Sequence, residues 1–454
     1  MRDSENGPAP SFGTANRNLP ATTGRGTAEG GPSMGNRPTS GKAAIRRRAV
    51  AVFFLLAAQA LMPSIPLHAQ FSLFEGERGS LELGGYFRSL TALYDQGYRI
   101  PDQDRVSGFN AEVVRLKWTL RLGDRAMVEI HDRFQIQTSS SPRFVSSVPG
   151  FGVTVVPGRS IDLSSVFIDE ERLKVWHDVD RLALTLNTDL GDVTVGRQAI
   201  TWGISNLFPV ADLWAQFSPF ELDTEEKPGI DAVRVLSYPA GSLELDAVVA
   251  DRGSAEDLSA GIRASLSLPW ADLYLGGGKF WNEAMILGGV AAPVGSWKLR
   301  AEGVLPYDLD QDDLDLPRLT LGVDRLGGEL LLSGEYHFNG VGAASVEDYG
   351  ETIEDPRYAR GESYFLGRHY LGGFGSWTPG NDRLSLTLSA MVNLVDPSTI
   401  LSPALTYDFG QETRLSVGGY ISSGNPPELE PVPTLKSEYG MYGDLLFTTV
   451  SIYF

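Results

Sequence analysis

The chain ends Leu446-Phe447-Thr448-Thr449-Val450-Ser451-Ile452-Tyr453-Phe454. Successive side chains of an extended strand point to opposite faces, so Phe454, Ile452, Val450, Thr448 and Leu446 share one face. A chain that stops inside a strand leaves an edge that must be paired. An earlier alternating segment, near Leu81 to Tyr94, is the expected partner. The sheet is then closed on itself, first strand against last.

Working outward, the same alternation recurs from Gly79 onward in segments of about ten residues, the pattern of a transmembrane barrel. In Val114 to Leu122 the apolar residues Val114, Leu116, Trp118, Leu120 and Leu122 face one way. Arg115, Lys117, Thr119 and Arg121 face the other. A barrel places the first set in lipid and the cations in a watery lumen. After Gly123-Asp124-Arg125, Val128, Ile130, Phe134 and Ile136 alternate with Glu129, His131, Arg133 and Gln135; Asp132 breaks the apolar face, and a register shift is the expectation there. Tight turns near 189–192, 239–241, 269–271, 293–295, 326–328, 379–381 and 410–412 take turns with long segments 138–171, 203–229, 307–317, 339–363 and 423–437. Short periplasmic turns and long extracellular loops are expected of such barrels. The fold class is therefore all-β: a single antiparallel up-and-down barrel over 79–454, of about 18 strands. Sixteen is the alternative, because 172–187 and 307–326 are ambiguous. Trp118, Trp176, Trp270, Trp281, Trp297, Trp377, Tyr407 and Tyr420 are expected in interfacial girdles. The terminal triplet Phe454, Ile452 and Val450 resembles the signal by which the barrel-assembly machinery recognises outer-membrane barrels.

The N-terminal third of this logic is compositional. Residues 1–45 are rich in Gly, Pro, Ser and Thr and bury no core, or precede a true start at Met34. Arg46-Arg47-Arg48, the apolar Ala49 to Met62 and Ala69 read as a signal peptide over 46–69. A single anchoring helix is the alternative, but the apolar run is too short to span. Residues 70–78 are expected as a periplasmic lead-in. Of 454 residues none is Cys, which excludes disulfides and thiolate metal sites. Cleavage after Ala69 leaves 30 basic and 54 acidic residues, a net charge of −24 that argues against nucleic acid.

Gly196-Arg197-Gln198-Ala199-Ile200-Thr201-Trp202-Gly203 is the most specific internal string. With Phe208 to Leu213 and Lys227 to Asp231, it resembles the Gly-Arg-Gln-x-x-x-Trp-Gly strand of alginate-export type porins. The resemblance covers about 45 residues and implies a channel of roughly 16 to 18 strands. Alginate is not carried over: that family's pore is strongly basic, and this chain is acidic. Strict alternation after Val193 and Val195 would send Arg197 into lipid, at about 2–4 kcal/mol. A β-bulge at Gly196 that returns Arg197 to the lumen is the expected remedy.

In general porins the loop after the fifth strand folds inward and narrows the pore, and 203–229 holds that place. Asn206, Phe208, Asp212, Trp214, Phe217 and Phe220 would pack on the inner wall. Glu221, Asp223, Glu225, Glu226 and Lys227 would set the charge at a constriction. An extracellular cap is the alternative. Arg115, Lys117, Arg121, Arg133 and Arg197 line the lumen, or pair with acids across the wall. Asp308, Asp310 and Asp312 offer hard oxygen ligands to Ca²⁺, though a solvated loop or one touching lipopolysaccharide fits the composition better. No other metal and no cofactor is implied. No Gly-x-Ser-x-Gly occurs within 79–454, the one instance being Gly31-Pro32-Ser33-Met34-Gly35 in the N-terminal extension, and the histidines show no ligand or triad spacing. A channel for small or polyionic hydrophilic solutes is thus expected, as monomer or homotrimer, with a non-conducting scaffold or export partner as the alternative and an outer-membrane hydrolase a weaker one.

Overall fold

The computed structural model describes residues 71–76, 78–98, 104–141, 158–380, 382–429 and 433–454. The expected N-terminal extension and signal peptide lie outside the described residues. Eighteen antiparallel strands form one closed barrel. They are β1 (Gly79–Asp95), β2 (Val106–Leu122), β3 (Ala126–Ser139), β4 (Leu173–Thr188), β5 (Gly191–Gln198) and β6 (Ile230–Ala240). Then come β7 (Leu243–Ala250), β8 (Ser259–Leu268), β9 (Ala271–Phe280), β10 (Glu283–Val294), β11 (Trp297–Asp308) and β12 (Arg318–Gly327). The last six are β13 (Leu330–Asn339), β14 (His369–Trp377), β15 (Leu384–Asn393), β16 (Thr399–Asp408), β17 (Thr413–Ser423) and β18 (Asp444–Tyr453). Each pairs with its neighbours in sequence, and β18 returns to β1 from Asp95↔Asp444 to Tyr86↔Tyr453. One step further, Gly85 and Phe454 exchange backbone hydrogen bonds of 2.7 and 3.0 Å. The terminal aromatic therefore sits on the seam. Closure satisfies the backbone donors and acceptors without water, the requirement for spanning lipid with strands.

The two ambiguous segments resolve simply: 172–187 is one strand, β4, and 307–326 is a loop followed by β12. The lead-in holds a short strand of its own. Phe71–Gly76 is a strand that folds back on the start of β1, from Gly76↔Gly79 to Phe71↔Leu83. It occupies the edge that β18 leaves free beyond Phe454.

Outward positions carry a belt of exposed aliphatics, among them Leu184, Val195, Val233, Ile262, Leu275, Ile286, Leu321, Leu388 and Leu405. Water tolerates no such continuous surface, and hydrocarbon does. Trp270, Trp297 and Trp377 are exposed at the short-turn ends, as a girdle requires. Trp281 and Tyr420 are not girdle residues. Trp281 is buried between the guanidinium groups of Arg252 and Arg360, each 5.1 Å from its ring. Tyr420 is buried inside.

The register shift at Asp132 is present: His131 pairs with Arg181 and Asp132 with Val179, so Asp180 is the extra residue of β4. The shift expected at Gly196 is absent. Pairing is continuous from Leu184↔Val195 through Leu182↔Arg197, and from Val195↔Val233 to Arg197↔Asp231. Gly196 instead adopts φ +115°, where a Cβ would lie 2.1 Å from the Leu182 carbonyl oxygen. The charge problem is solved by covering protein rather than by a bulge. Arg197 donates to Asp231 at 2.8 and 3.0 Å, to the Val179 carbonyl at 2.9 Å and to the Ile161 carbonyl. These partners fill the gap where β5 ends and the segment 158–170 takes its place beside β4.

Candidate pore and its constriction

The segment 199–229 cannot remain in water with Trp202, Phe208, Trp214, Phe217 and Phe220, and it turns into the barrel. Three aromatic anchors fix it. Trp202 and Trp214 meet edge to face at 5.0 Å and pack with Phe280, while the Trp202 indole N–H donates to Asp246 at 2.8 Å. Phe208 stacks on His337 at 5.0 Å and abuts Phe365. Phe220, at the far end, packs on Tyr420 and Tyr442. Such pairs add about 0.5–1.5 kcal/mol each beyond burial.

Polar tethers align with the anchors. The Glu335 carboxylate of β13 accepts three consecutive backbone N–H groups, from Asn206, Leu207 and Phe208, at 2.7, 3.0 and 3.0 Å. Arg300 holds the same carboxylate at 2.7 Å and Asp324 at 2.6 Å. Glu302 accepts the N–H of Ile204 at 2.7 Å. Across the barrel, Arg88 of β1 takes both Asp223 and Glu225, and Lys117 of β2 takes Glu226. Lys227 stays within the loop, bonded to Asp212 at 2.6 Å and to the Ile200 carbonyl at 2.6 Å. The loop thus reaches from β13 to β1 through the interior. It is not an extracellular cap.

The remaining candidate residues are distributed as follows. Arg115 is buried against the bulged Asp180 at 2.7 Å, and Arg133 lies 5.4 Å from the Trp176 ring. Arg121, half exposed, is 3.9 Å from Glu82. Arg197 is enclosed in the wall, which corrects its expected place on the lumen surface. Glu221 acts electrostatically on Tyr420 and has a partner of its own. Asp308 turns to the N–H groups of Asp310 and Gln311, and Asp312 accepts from Tyr307. Among the described residues no three acids or histidines gather as a metal site.

Sequence reasoning passed over Arg88, Asp246, Arg300, Glu302 and Glu335. All occupy inward positions of alternating strands, so a search restricted to inward charges would have found them. Opposite the tethers, the loop leaves a cavity of about 440 Å³ against β15, β16 and β17. Ser389, Met391, Ile400, Ser402 and Tyr420 form its wall side, and Asn206, Phe217 and Thr224 its loop side. Next to Tyr439, which packs in one cluster with Met391, Ile400 and Tyr420, Glu438 accepts from Tyr370, from Asn393 at 2.6 Å and from the N–H of Leu366. Burial pushes the Glu438 carboxyl up to about 7.

No family model matches the sequence, and no curated protein does. Solved structures match the barrel. Acinetobacter baumannii OccAB2 superposes with a TM-score of 0.54 at 8% identity, covering 82% of this chain and 98% of that one. A BenF-like porin from Pseudomonas fluorescens gives 0.51 at 10%, covering 82% and 98%. Pseudomonas aeruginosa OpdK with vanillate gives 0.50 at 13%, again covering 82% and 98%. The fold is similar to that of porins. At these identities the likeness concerns the barrel and its strand count, and the porin fold carries no solute with it.

Proposed function

We propose that the chain is an outer-membrane porin, a passive channel for small hydrophilic solutes narrowed by the loop 203–229. One observation carries the reading: that loop is fastened inside an 18-stranded barrel and still leaves a cavity of about 440 Å³ along one wall. Barrels of 16–18 strands enclose an aqueous lumen, so a loop braced across it acts as a constriction rather than a plug. The apolar belt fits the outer membrane and its lipopolysaccharide, and Phe454 on the seam suits recognition by the assembly machinery. The string 196–203 supports kinship with the alginate-export type, while the solved structures of similar fold are of the OccAB2, OpdK and BenF-like kinds. In this reading the chain is a channel, not an enzyme, and each barrel conducts alone whether monomer or one of a homotrimer. Purified protein in planar bilayers should give discrete single-channel steps. A folded barrel, confirmed by heat-modifiable migration, that gives none would remove the porin reading.

A further inference from the structure

Resting on that reading, we propose that the passage selects neutral, hydroxyl-bearing solutes over ions. The loop divides the lumen into two chemically different sides. On the tethered side the charges that hold the loop are mostly paired with one another: Asp223 and Glu225 with Arg88, Glu226 with Lys117, Glu335 and Asp324 with Arg300. Further along that wall Arg234 and Arg263 hold Asp246 and Glu244 at 2.7 and 3.0 Å. Charge-assisted bonds of this kind occupy the donors a permeating anion would need.

The open side is the cavity against β15, β16 and β17. Its one charged lining residue is Asp212, and both its carboxylate oxygens receive Lys227 at 2.6 Å. The other polar lining groups include the hydroxyls of Ser389, Ser402 and Thr224, beside an apolar surface of Leu207, Phe217, Met391 and Ile400; the Asn206 amide donates to Asp324 and Ser333. Glu221 acts on Tyr420 but does not line the space.

An ion that sheds water here meets no unengaged charge to replace its hydration, and selectivity for ions depends on such replacement. A polyol loses less. Its hydroxyls exchange water for serine and threonine hydroxyls, and its C–H face packs on the aromatic, aliphatic and thioether surface.

Efflux of glucose, gluconate and glucosamine from proteoliposomes holding the full-length protein tests this, because the three differ little in size but carry charges of zero, minus one and plus one. Glucose is expected to leave at least threefold faster than either ion. Ser402→Asp adds a carboxylate without a partner to the open side and should raise glucosamine several-fold over gluconate. Gluconate or glucosamine leaving as fast as glucose in the unaltered protein overturns the neutral-solute proposal and leaves the channel intact. A folded barrel that passes none of the three and shows no conductance sinks the channel reading, and the proposal with it.

Discussion

The inner wall of this barrel is two walls. From β1 to β13 inward positions hold Arg88, Arg115, Lys117, Arg234, Asp246, Arg263, Arg300 and Glu335, interlocked by ion pairs, and Glu302, bonded to the Ile204 N–H and the Tyr274 hydroxyl. From β14 to β18 the register aligns Ser376, Thr387, Ser389, Ser402, Thr406, Ser416 and Thr449 instead. The exception is an Asp408–Arg414 pair at the short-turn rim, itself joined at 2.7 Å. Charge on the first wall is structural: it grips a loop. Neutrality on the second wall is where space remains. A high density of lumen charge therefore need not mean that charge governs passage.

The largest effect should come from cutting the grip at β13. Glu335→Ala orphans three loop N–H groups and frees Arg300 beside Asp324, at a cost of about 3–5 kcal/mol for a broken buried pair. Hydrogen exchange over 204–210 should rise by orders of magnitude while barrel strands stay protected. Unchanged exchange there would mean that the aromatic anchors hold the loop unaided.

Arg88→Ala acts on the opposite tether. It leaves Asp223 and Glu225 without their cation, at about 3 kcal/mol by the same reasoning. Reversal potentials should move toward cation preference, since two carboxylates become available to the lumen. A shift toward anions would break the assignment of the charged wall as self-neutralised.

Next is a pH effect on the neutral side. The folded-state value of Glu438, about 7, lies above its ordinary 4.5. A raised carboxyl binds its proton more tightly when folded, so this stability is complete below about 4.5 and is lost as pH rises through 7. Burial is the cause, and Asp396, Tyr349 and Tyr439 face the same site. Once intrinsic exchange rates are divided out, the opening free energy over 433–443 should be lower at pH 8 than at pH 5, by on the order of 2 kcal/mol. Glu438→Gln should flatten that dependence.

Ser402→Ala should be the mildest change, within about 0.5 kcal/mol of stability. Its effect belongs to neutral-solute efflux, not to folding.

The fold was legible because lipid writes alternation into every strand, and because Phe454 marks the seam. The loop's direction was legible from its aromatics, which water does not accommodate. Its partners were not. Arg88 and Glu335 lie more than a hundred residues from the loop groups they hold, and only a closed ring brings β1 and β13 to face one another across it. Arg197 misled for a related reason. Alternation predicts which face a residue takes, and lipid was assumed on that face. The structure supplies Ile161 and Asp231 there instead, so the register needs no correction.

The loop's double attachment, to Glu335 on one strand and Arg88 on another far around the ring, makes it a strut. The aperture is then set by the spacing of strands, which hydrogen bonding fixes, rather than by the thermal wandering of a tethered flap. An opening framed this way resists oval distortion under lateral membrane pressure.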